Sequence, residues 1–221
     1  MTQMESFFQL TGATLLGGGV IHPKDVEDMK NCGLSIFCAD AGYFHAKNYD
    51  LKVSGLIGDL DSVGALDAPD FPVVQVMDQD RTDLEKSLEI ISAPYILCYG
   101  FLGGRLDHSM AAFNAIAKSK QTAILIDAED VCVICPPHLE LNLPIGTRFS
   151  IFPLTPVLAR SDGLKWNVDG LKLSPIGTVS TSNETTAARV QCWIDQGTAL
   201  VIFPREYLDD VLAQWPSIQA D

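Results

Sequence analysis

This sequence lacks features that define several large classes of proteins. None of its apolar runs is long enough to cross a bilayer as a helix, and its first residues lack the basic start of a secretory signal peptide. It is also poor in cations, since 15 lysines and arginines stand against 28 aspartates and glutamates, for a net charge of −13. We therefore expect a cytoplasmic protein with no membrane partner. We expect no nucleic-acid partner either, because no basic stripe is present to displace the counterions of phosphates.

The familiar nucleotide-binding fingerprints are absent as well. The glycine run at residues 17–19 does not fit the P-loop pattern, and no G-x-G-x-x-G sequence follows an expected strand. Internal repeats, low-complexity segments and long linkers are also missing. A nucleotide, if one binds, must be held by another arrangement.

The cysteines favour a structural interpretation. The chain has 6 of them, scattered and mostly within apolar runs, where a cysteine acts as a small hydrophobic residue. Cys132 and Cys135 have the C-x-x-C spacing of many zinc sites, but a second such pair is missing. The pair also lies in an expected strand, whose alternation sends the two sulfurs to opposite faces. We therefore expect buried thiols rather than a zinc site.

The pattern of apolar runs predicts an α/β protein with two domains. In the first half, short apolar runs alternate with helical patterns, which indicates a mostly parallel, Rossmann-like three-layer domain with helices on both faces of the sheet. The second half has short strands separated by turns and predicts a smaller all-β sandwich domain. We place the boundary at Pro136-Pro137, which gives domains at residues 1–136 and 137–221.

The individual elements follow from the same pattern. Strands are predicted at residues 13–16, 34–39, 53–57, 73–77, 95–99 and 122–126, and shorter ones at 149–153, 171–173, 187–193 and 199–203. Helices are predicted at residues 23–31, 43–48, 82–91, 107–118 and 206–214.

Acidic and glycine-rich clusters follow several of the expected strands. The segment LIGDLDS at residues 56–62 ends a buried strand with Asp59 and Asp61, and two carboxylates held this close favour a bound cation such as Mg²⁺. Asp40 and the segment 100–105 follow other strands, and parallel strands gather their carboxyl ends at one edge of the sheet. Glycines let backbone amides approach phosphates and an arginine clamps them. Together these clusters indicate a phosphoryl-type transfer site.

Each of these features also has a plainer interpretation. Thr82 and Glu85 fit a capping box, which we adopt for them and which leaves Asp83 free at the start of the helix. Asp107 fits a helix cap and a site residue equally well. His108 at the start of the same helix is more often incidental than a catalytic base, and the glycines at residues 17–19 fit a simple turn.

Five motifs occur along the chain in a definite order: LIGDLDS at 56–62, DRTDLEKSL at 80–88 and GFLGGRLDH at 100–108 in the first half, and GLKW at 163–166 and STSNE at 180–184 in the second. In order and spacing they resemble the motifs of the thiamine pyrophosphokinase family. The resemblance covers residues 12–204. It implies an α/β domain followed by a β-sandwich domain, a homodimer, and a cleft at the dimer interface that draws on both domains.

The resemblance also implies a reaction and the residues for it. The reaction is transfer of the pyrophosphoryl group of ATP to the hydroxyl of thiamine, giving thiamine diphosphate and AMP, with Mg²⁺ as the cofactor. The implied catalytic residues are Asp59, Asp61, Asp83, Arg105 and Asp107, of which Asp59, Asp61 and Asp83 bind Mg²⁺. The implied substrate-binding residues are Asp40, Thr82, Gly104, Ser182 and Asn183. As our own mechanistic hypothesis, Asp83 or Asp107 accepts the hydroxyl proton, although a loose transition state makes little demand on a base.

Two departures from the family pattern concern the substrates. The family usually has Asp-Gly-Gly where this chain has Asp40-Ala41-Gly42, so an added methyl group narrows the nucleotide loop. Residues 199–203 contain no tryptophan to stack on thiamine, and Trp166 and Trp193 are expected to pack within the domain. A pyrophosphokinase for another alcohol such as a hydroxymethylpterin, a nucleotide-sugar glycosyltransferase, and a non-catalytic thiamine or nucleotide sensor remain as alternatives.

Overall fold

The computed structural model describes residues 7–9, 11–64 and 69–218, so the expectation about the N-terminal residues 1–6 lies outside them. The chain divides into two compact units, Met1–Ala128 and Glu129–Asp221. The division falls before the expected Pro136-Pro137 boundary because the strand Asp130–Ile134 pairs with Ala199–Pro204 of the second unit. No helix of the described residues is long and apolar enough to span a membrane.

The first unit contains a parallel sheet, as the alternating pattern predicted. Its strands are β2 (Ala13–Leu16), β3 (Ser35–Ala39), β4 (Val53–Gly58), β5 (Val73–Gln75), β7 (Ile96–Tyr99) and β8 (Ala123–Ile126). They lie in the order β8-β7-β2-β3-β4-β5, and every neighbouring pair is parallel. A separate short pair joins β1 (Phe7–Phe8) to β6 (Ile91–Ser92). The central strands are buried throughout, which explains why they are continuous apolar runs rather than alternating ones.

Four helices connect these strands. They are α1 (Pro23–Asn31), α2 (Gly42–Asn48), α3 (Asp83–Ile90) and α4 (Leu106–Lys118). Proline at the first position of α1 supplies a preset φ and no amide that would need a partner. The carboxylate of Asp25 accepts a hydrogen bond from the backbone N–H of His22 at 2.7 Å, which fixes the start of this helix. The helix predictions for this half of the chain are confirmed to within a few residues.

The strand order places a crossover point between β2 and β7, because the chain winds to one side after β2 and to the other after β7. The loops that leave these two strands touch through their backbones. Gly17 N–H donates to the carbonyl of Tyr99 at 2.8 Å, and Gly19 N–H donates to the carbonyl of Gly100 at 2.9 Å. A β-carbon on Gly100, whose φ is 75°, would lie 2.6 Å from the carbonyl oxygen of Gly17. Glycine is therefore required where the two loops meet.

The second unit is built from antiparallel strands, which confirms its expected all-β character. One set consists of β9 (Asp130–Ile134), β11 (Ser150–Pro153) and β15 (Ala199–Pro204), in the order β11-β15-β9. The other set consists of β10 (His138–Asn142), β12 (Val157–Asp162), β13 (Lys172–Leu173) and β14 (Arg189–Gln196), in the order β10-β14-β12-β13. A short 3₁₀ turn, Arg205–Tyr207, leads into α5 (Leu208–Ile218), where a helix was expected.

All 6 cysteines are free thiols, and Cys32 is the exposed one. Burial raises the pKa of Cys38 and of Cys192 to about 12. Cys132 and Cys135 are both buried, and among the described residues neither joins a group of side chains suited to a metal ion. The burial of Cys132 and Cys135 agrees with their interpretation as small hydrophobic residues, whereas the exposed Cys32 departs from the expectation of buried thiols.

We expect 5,5′-dithiobis-(2-nitrobenzoic acid) to modify one thiol of the native protein quickly, that of Cys32. The other thiols should react only after unfolding, because they are buried, and burial raises the pKa of Cys38 and Cys192 so far that almost no thiolate forms there at neutral pH. The measurement is thionitrobenzoate release before and after addition of guanidinium chloride. Cys32→Ser should remove the fast phase, and fast release of several equivalents from the native protein would contradict the expectation.

Candidate active site

A cleft of about 520 Å³ opens where the parallel strands of the first unit end. Loops after β2, β3, β4 and β7 contribute to it, as do the first turns of α3 and α4. The residues that line it are Gly18, Gly19, Ala39, Asp40, Ala41, Ser62, Thr82, Asp83, Leu84, Gly100, Phe101, Leu102, Gly104, Arg105, His108, Ala111 and Ala112. The glycine-rich loops, Asp40, Asp83 and Arg105 therefore line one cavity, and Ser62 represents the segment 56–62 in it.

Three carboxylates form an acidic cluster at this edge of the sheet. Ligand oxygens of Asp40, Asp59 and Asp61 all lie within 4.8 Å of one another. Asp40 is only 4% exposed, and within the described part of the chain its Oδ1 has no hydrogen-bond partner. Burying a carboxylate oxygen without a partner costs free energy. Such a group of carboxylate oxygens is a suitable set of ligands for a hard divalent cation. The donor set therefore fits Mg²⁺.

The backbone brings these carboxylates together. A β-carbon on Gly58 would lie 2.9 Å from the β-carbon of Asp40, so glycine at the end of β4 lets the two strand ends approach. Asp40 and Leu60 adopt positive φ angles of 39° and 68°, which turn the chain sharply just after each strand. The carboxylate of Asp59 then accepts the backbone N–H of Asp61 at 3.3 Å and the side-chain amide of Gln79 at 3.0 Å.

A buried lysine, which no sequence argument singled out, contacts this cluster. The side chain of Lys86 is 2% exposed, and its Nζ lies 3.1 Å from Asp83 Oδ1 and 3.4 Å from Asp59 Oδ2. Asp83 therefore pairs with Lys86, while the carboxylate that joins Asp59 and Asp61 in the cluster is Asp40. The spacing of Asp83 and Lys86, one helical turn apart, was a signal for the pair.

The pKa of Asp83 is raised above the usual value of an aspartate, whereas the pKa of Asp59 is lowered. Burial raises the pKa of Asp83, and the nearby charges of Asp40 and Asp59 add to this against the effect of Lys86. Burial alone would also raise the pKa of Asp59, but the N–H of Asp61 and the charge of Lys86 together lower it. Asp59 is therefore ionised throughout the neutral range, and Asp83 is the more basic carboxylate.

The capping box at the start of α3 is present as expected. Thr82 Oγ1 accepts the N–H of Glu85 at 3.2 Å, and the carboxylate of Glu85 accepts the N–H of Thr82 at 3.0 Å. This fixes the first turn of α3 and with it the position of Asp83 at the cleft. Thr82 itself also lines the cleft, so its structural role and its predicted contact with substrate are compatible.

Arg105 and Asp107 form an exposed pair at the start of α4. Arg105 Nη2 lies 2.6 Å from Asp107 Oδ2, and the two side chains are 70% and 65% exposed. The N-cap position of α4 is Arg105, so Asp107 lies in the first turn rather than at the cap. Its hydrogen bond with Arg105 lowers the pKa of Asp107, which makes it a weak base. Gly104, next to this pair, lines the cleft.

Two predicted site residues, Ser182 and Asn183, belong to the second unit. Asn183 is 1% exposed, and its side chain joins two loops. Its Oδ1 accepts the N–H groups of Trp166 and Glu184 at 3.1 and 2.9 Å, and its Nδ2 donates to the carbonyl of Trp166 at 2.7 Å. Ser182, in a positive-φ conformation, donates its N–H to Ser150 Oγ at 3.1 Å. The side chain of Asn183 therefore makes its hydrogen bonds to other groups of the protein.

The tryptophans differ from each other in their surroundings. Trp193 packs as expected, with the ring of His138 stacked at 5.2 Å and the guanidinium of Arg160 over its face. Trp166, in contrast, is 56% exposed, so the expectation that it packs within the domain is wrong. The ammonium of Lys165 lies 4.8 Å from the centre of its ring. The hydrogen bonds with Asn183 fix the backbone of Trp166, while the indole ring of Trp166 is exposed to solvent.

Comparison with known proteins identifies the family. Residues 27–126 match the model for the thiamin pyrophosphokinase catalytic domain, and residues 138–198 match the model for the thiamin pyrophosphokinase vitamin B1 binding domain. Thiamin pyrophosphokinase 1 of Caenorhabditis elegans is 30% identical over 154 residues, which are 61% of this chain and 63% of that protein. Thiamine pyrophosphokinase 1 of Oryza sativa subsp. japonica is 32% identical over 124 residues, 48% of this chain and 47% of that protein. The matches therefore span about half to two thirds of these relatives.

Solved structures have the same fold. Thiamine pyrophosphokinase from Bacillus subtilis superposes with a TM-score of 0.72 at 21% identity, over 87% of this chain and 98% of that one. Thiamin pyrophosphokinase from Candida albicans gives 0.72 at 16% identity, over 90% and 93%. The two family models together match most of the sequence, and the chain belongs to the thiamin pyrophosphokinase family.

Proposed function

We propose that this protein transfers the pyrophosphoryl group of ATP to the hydroxyl of thiamine, giving thiamine diphosphate and AMP. The observation that carries this proposal is the acidic cluster of Asp40, Asp59 and Asp61, of which Asp40 lines a cleft bordered by glycine-rich loops. Family membership supports the choice of substrates. A cytoplasmic homodimer, expected from the sequence and the resemblance, remains part of the same proposal.

The acidic cluster is the proposed site for Mg²⁺. Asp40, Asp59 and Asp61 would hold the ion, which when bound neutralises phosphate charge. Asp83, which the resemblance implies as a ligand, is paired with Lys86. We propose that Asp40, which lies within ligand distance of the other two carboxylates, completes the set.

The glycine loops and Arg105 are the proposed phosphate-binding groups. Gly18, Gly19 and Gly104 line the cleft and leave room for phosphate oxygens beside the backbone. Arg105 lines the same cavity, and its guanidinium is oriented by hydrogen bonds to Asp107. These groups would align the β-phosphorus of ATP with the thiamine hydroxyl. In the proposed transfer the thiamine hydroxyl oxygen forms a bond to the β-phosphorus. The bond from the β-phosphorus to the oxygen that bridges the α- and β-phosphates breaks, and AMP leaves with that oxygen and the electron pair.

Asp83 is the better placed of the two candidate proton acceptors. It lines the cleft and its pKa is raised by burial, whereas Asp107 is exposed, paired with Arg105 and has a lowered pKa. A phosphoryl transfer with a loose transition state makes little demand on a base, so this contribution is small beside that of positioning and charge.

On the acceptor side, we propose that Ser182 and the exposed ring of Trp166 contact thiamine. The rigid indole offers a flat apolar face, which suits an aromatic cation. Asn183 is buried and fully hydrogen-bonded, so it acts by holding the loop of Trp166 in place.

Incubation with ATP, Mg²⁺ and thiamine should yield AMP and thiamine diphosphate in equal amounts, and AMP only when thiamine is present. Separation of the nucleotides by ion-exchange chromatography checks this. Formation of ADP, or absence of turnover despite binding, would contradict the proposal. Turnover with a hydroxymethylpterin but not with thiamine would support the chemistry and overturn the acceptor.

Asp61→Asn should lower kcat at least about 100-fold, the scale on which a lost charge-stabilising group acts. The fold should persist, because Asp61 lies in an exposed turn after β4. Steady-state AMP formation and the circular dichroism melting curve measure the two effects. Asp70→Asn, at an exposed aspartate of the same unit outside the cleft, is the control. Retained activity in Asp61→Asn would remove the metal role of this residue.

Asn183→Ala should destabilise the second unit by about 1–3 kcal/mol, because buried backbone groups of Trp166 and Glu184 lose their partner. It should also raise the KM for thiamine more than the KM for ATP. Urea unfolding and initial rates at varied substrate concentrations give both values. Asn142→Ala, at an exposed asparagine that bonds Gln214, is the matched control. An equal rise in both KM values would argue against a role on the acceptor side.

A further inference from the structure

We propose that Lys86 is a built-in counter-ion of the acidic cluster. It holds Asp59 and Asp83 in place when no divalent ion is bound, and it weakens the binding of that ion so that the ion stays exchangeable. This rests on the proposed function in one respect only, namely that the cluster binds a divalent cation. It is independent of the identity of the acceptor.

The first argument is the burial of the lysine. A lysine is rarely this buried, since desolvation of an ammonium group is costly unless it is paired and hydrogen-bonded. Lys86, at 2% exposure, contacts two carboxylates from different parts of the fold, Asp83 on its own helix and Asp59 after β4. A pair with Asp83 alone would need no such burial. The contact with Asp59 fastens α3 to the end of the neighbouring strand.

The second argument is the local balance of charge. Four carboxylates converge at this edge, those of Asp40, Asp59, Asp61 and Asp83. The neighbouring arginines are engaged elsewhere, since Arg81 pairs with Asp78 and Glu89 and Arg105 pairs with Asp107. Among the described residues, the cation that contacts the cluster is therefore Lys86. The carboxylates repel one another, and its charge offsets part of that repulsion.

The third argument is that Lys86 and a divalent ion act on the same carboxylate. Asp59 belongs to the set of oxygens within 4.8 Å, and its Oδ2 also lies 3.4 Å from Lys86 Nζ. An ion held by Asp59 and the ammonium group beside the same carboxylate would repel each other. The unpartnered Oδ1 of Asp40, buried in the cluster, shows that Lys86 leaves part of the negative charge for the ion to satisfy.

We expect Lys86 to stabilise the metal-free protein and to weaken the binding of the ion. Replacing it by an apolar residue leaves the carboxylates uncompensated, so the metal-free protein becomes less stable. The same change removes a charge that repels the ion, so the ion binds more tightly and stabilises the variant more than the wild type. A lysine with a purely structural role would leave metal affinity unchanged.

The test uses Lys86→Met, which keeps the buried volume, and Lys86→Arg, which keeps the charge. Without nucleotide, Lys86→Met should melt below the wild type, and saturating Mg²⁺ should raise its Tm more than it raises that of the wild type. Binding of Mn²⁺, measured by electron paramagnetic resonance, should be about tenfold tighter or more. Lys86→Arg should behave as the wild type. Lys118→Met, at an exposed lysine paired with Glu85, should change neither the Mg²⁺ effect nor Mn²⁺ binding.

Equal or weaker Mn²⁺ binding by Lys86→Met, or an unchanged Mg²⁺ effect on its Tm, would overturn the proposal. If Lys86→Met does not fold at any Mg²⁺ concentration, Lys86→Gln provides the same comparison, since it keeps a donor and loses the charge. Absence of Mn²⁺ binding in the wild type and every variant would refute the metal site itself. If thiamine is not the acceptor, the Tm and Mn²⁺-binding measurements still test the role of Lys86, because neither of them involves the acceptor.

Discussion

The close approach of two neighbouring strand ends is the constraint on which the site depends. Gly58 lets the end of β4 reach the backbone of Asp40, and this forces Asp40 and Asp59 into one small volume. Like charges held together in a partly buried place raise the free energy of the folded state. Two groups offset part of that repulsion at Asp59, namely the ammonium group of the buried Lys86 and the backbone N–H of Asp61. The Oδ1 atom of Asp40 has no hydrogen-bond partner among the described residues and is left for a cation. The acidic cluster is thus built into the fold at a cost that a divalent ion can offset.

The departure at Ala41 shows how the loops accommodate a change. Ala41 lies where the family usually has glycine, and it lines the cleft beside Gly18. A β-carbon on Gly18 would lie 2.7 Å from that of Ala41, so the methyl group occupies space that the opposite loop leaves free by being glycine. The methyl group of Ala41 therefore fits at this point because the opposite loop has glycine there.

Sequence patterns could predict the strands that end at the cleft, because each is an apolar run stopped by glycine or aspartate. They could not predict the role of Lys86, since a lysine one turn after an aspartate usually lies on an exposed helix face. Its burial depends on where β4 ends, a contact across 27 residues. Asn183 is a similar case. Its residue type alone does not show whether its side chain contacts substrate or is buried and hydrogen-bonded to the protein backbone, as it is here. Strands β10 and β12 were not predicted, although burial alternates along both of them.

The charge of the whole chain bears on how the proposed substrates would bind. Because the chain has a net charge of −13 and the acidic cluster includes Asp40 of the cleft lining, a bare triphosphate meets a repulsive field. Arg105 offsets little of this, since it is exposed and already paired with Asp107. Backbone amides of the glycine loops carry only partial charges. In the proposed reaction the nucleotide and the divalent ion must therefore bind cooperatively, because each supplies the charge that makes the other's binding favourable.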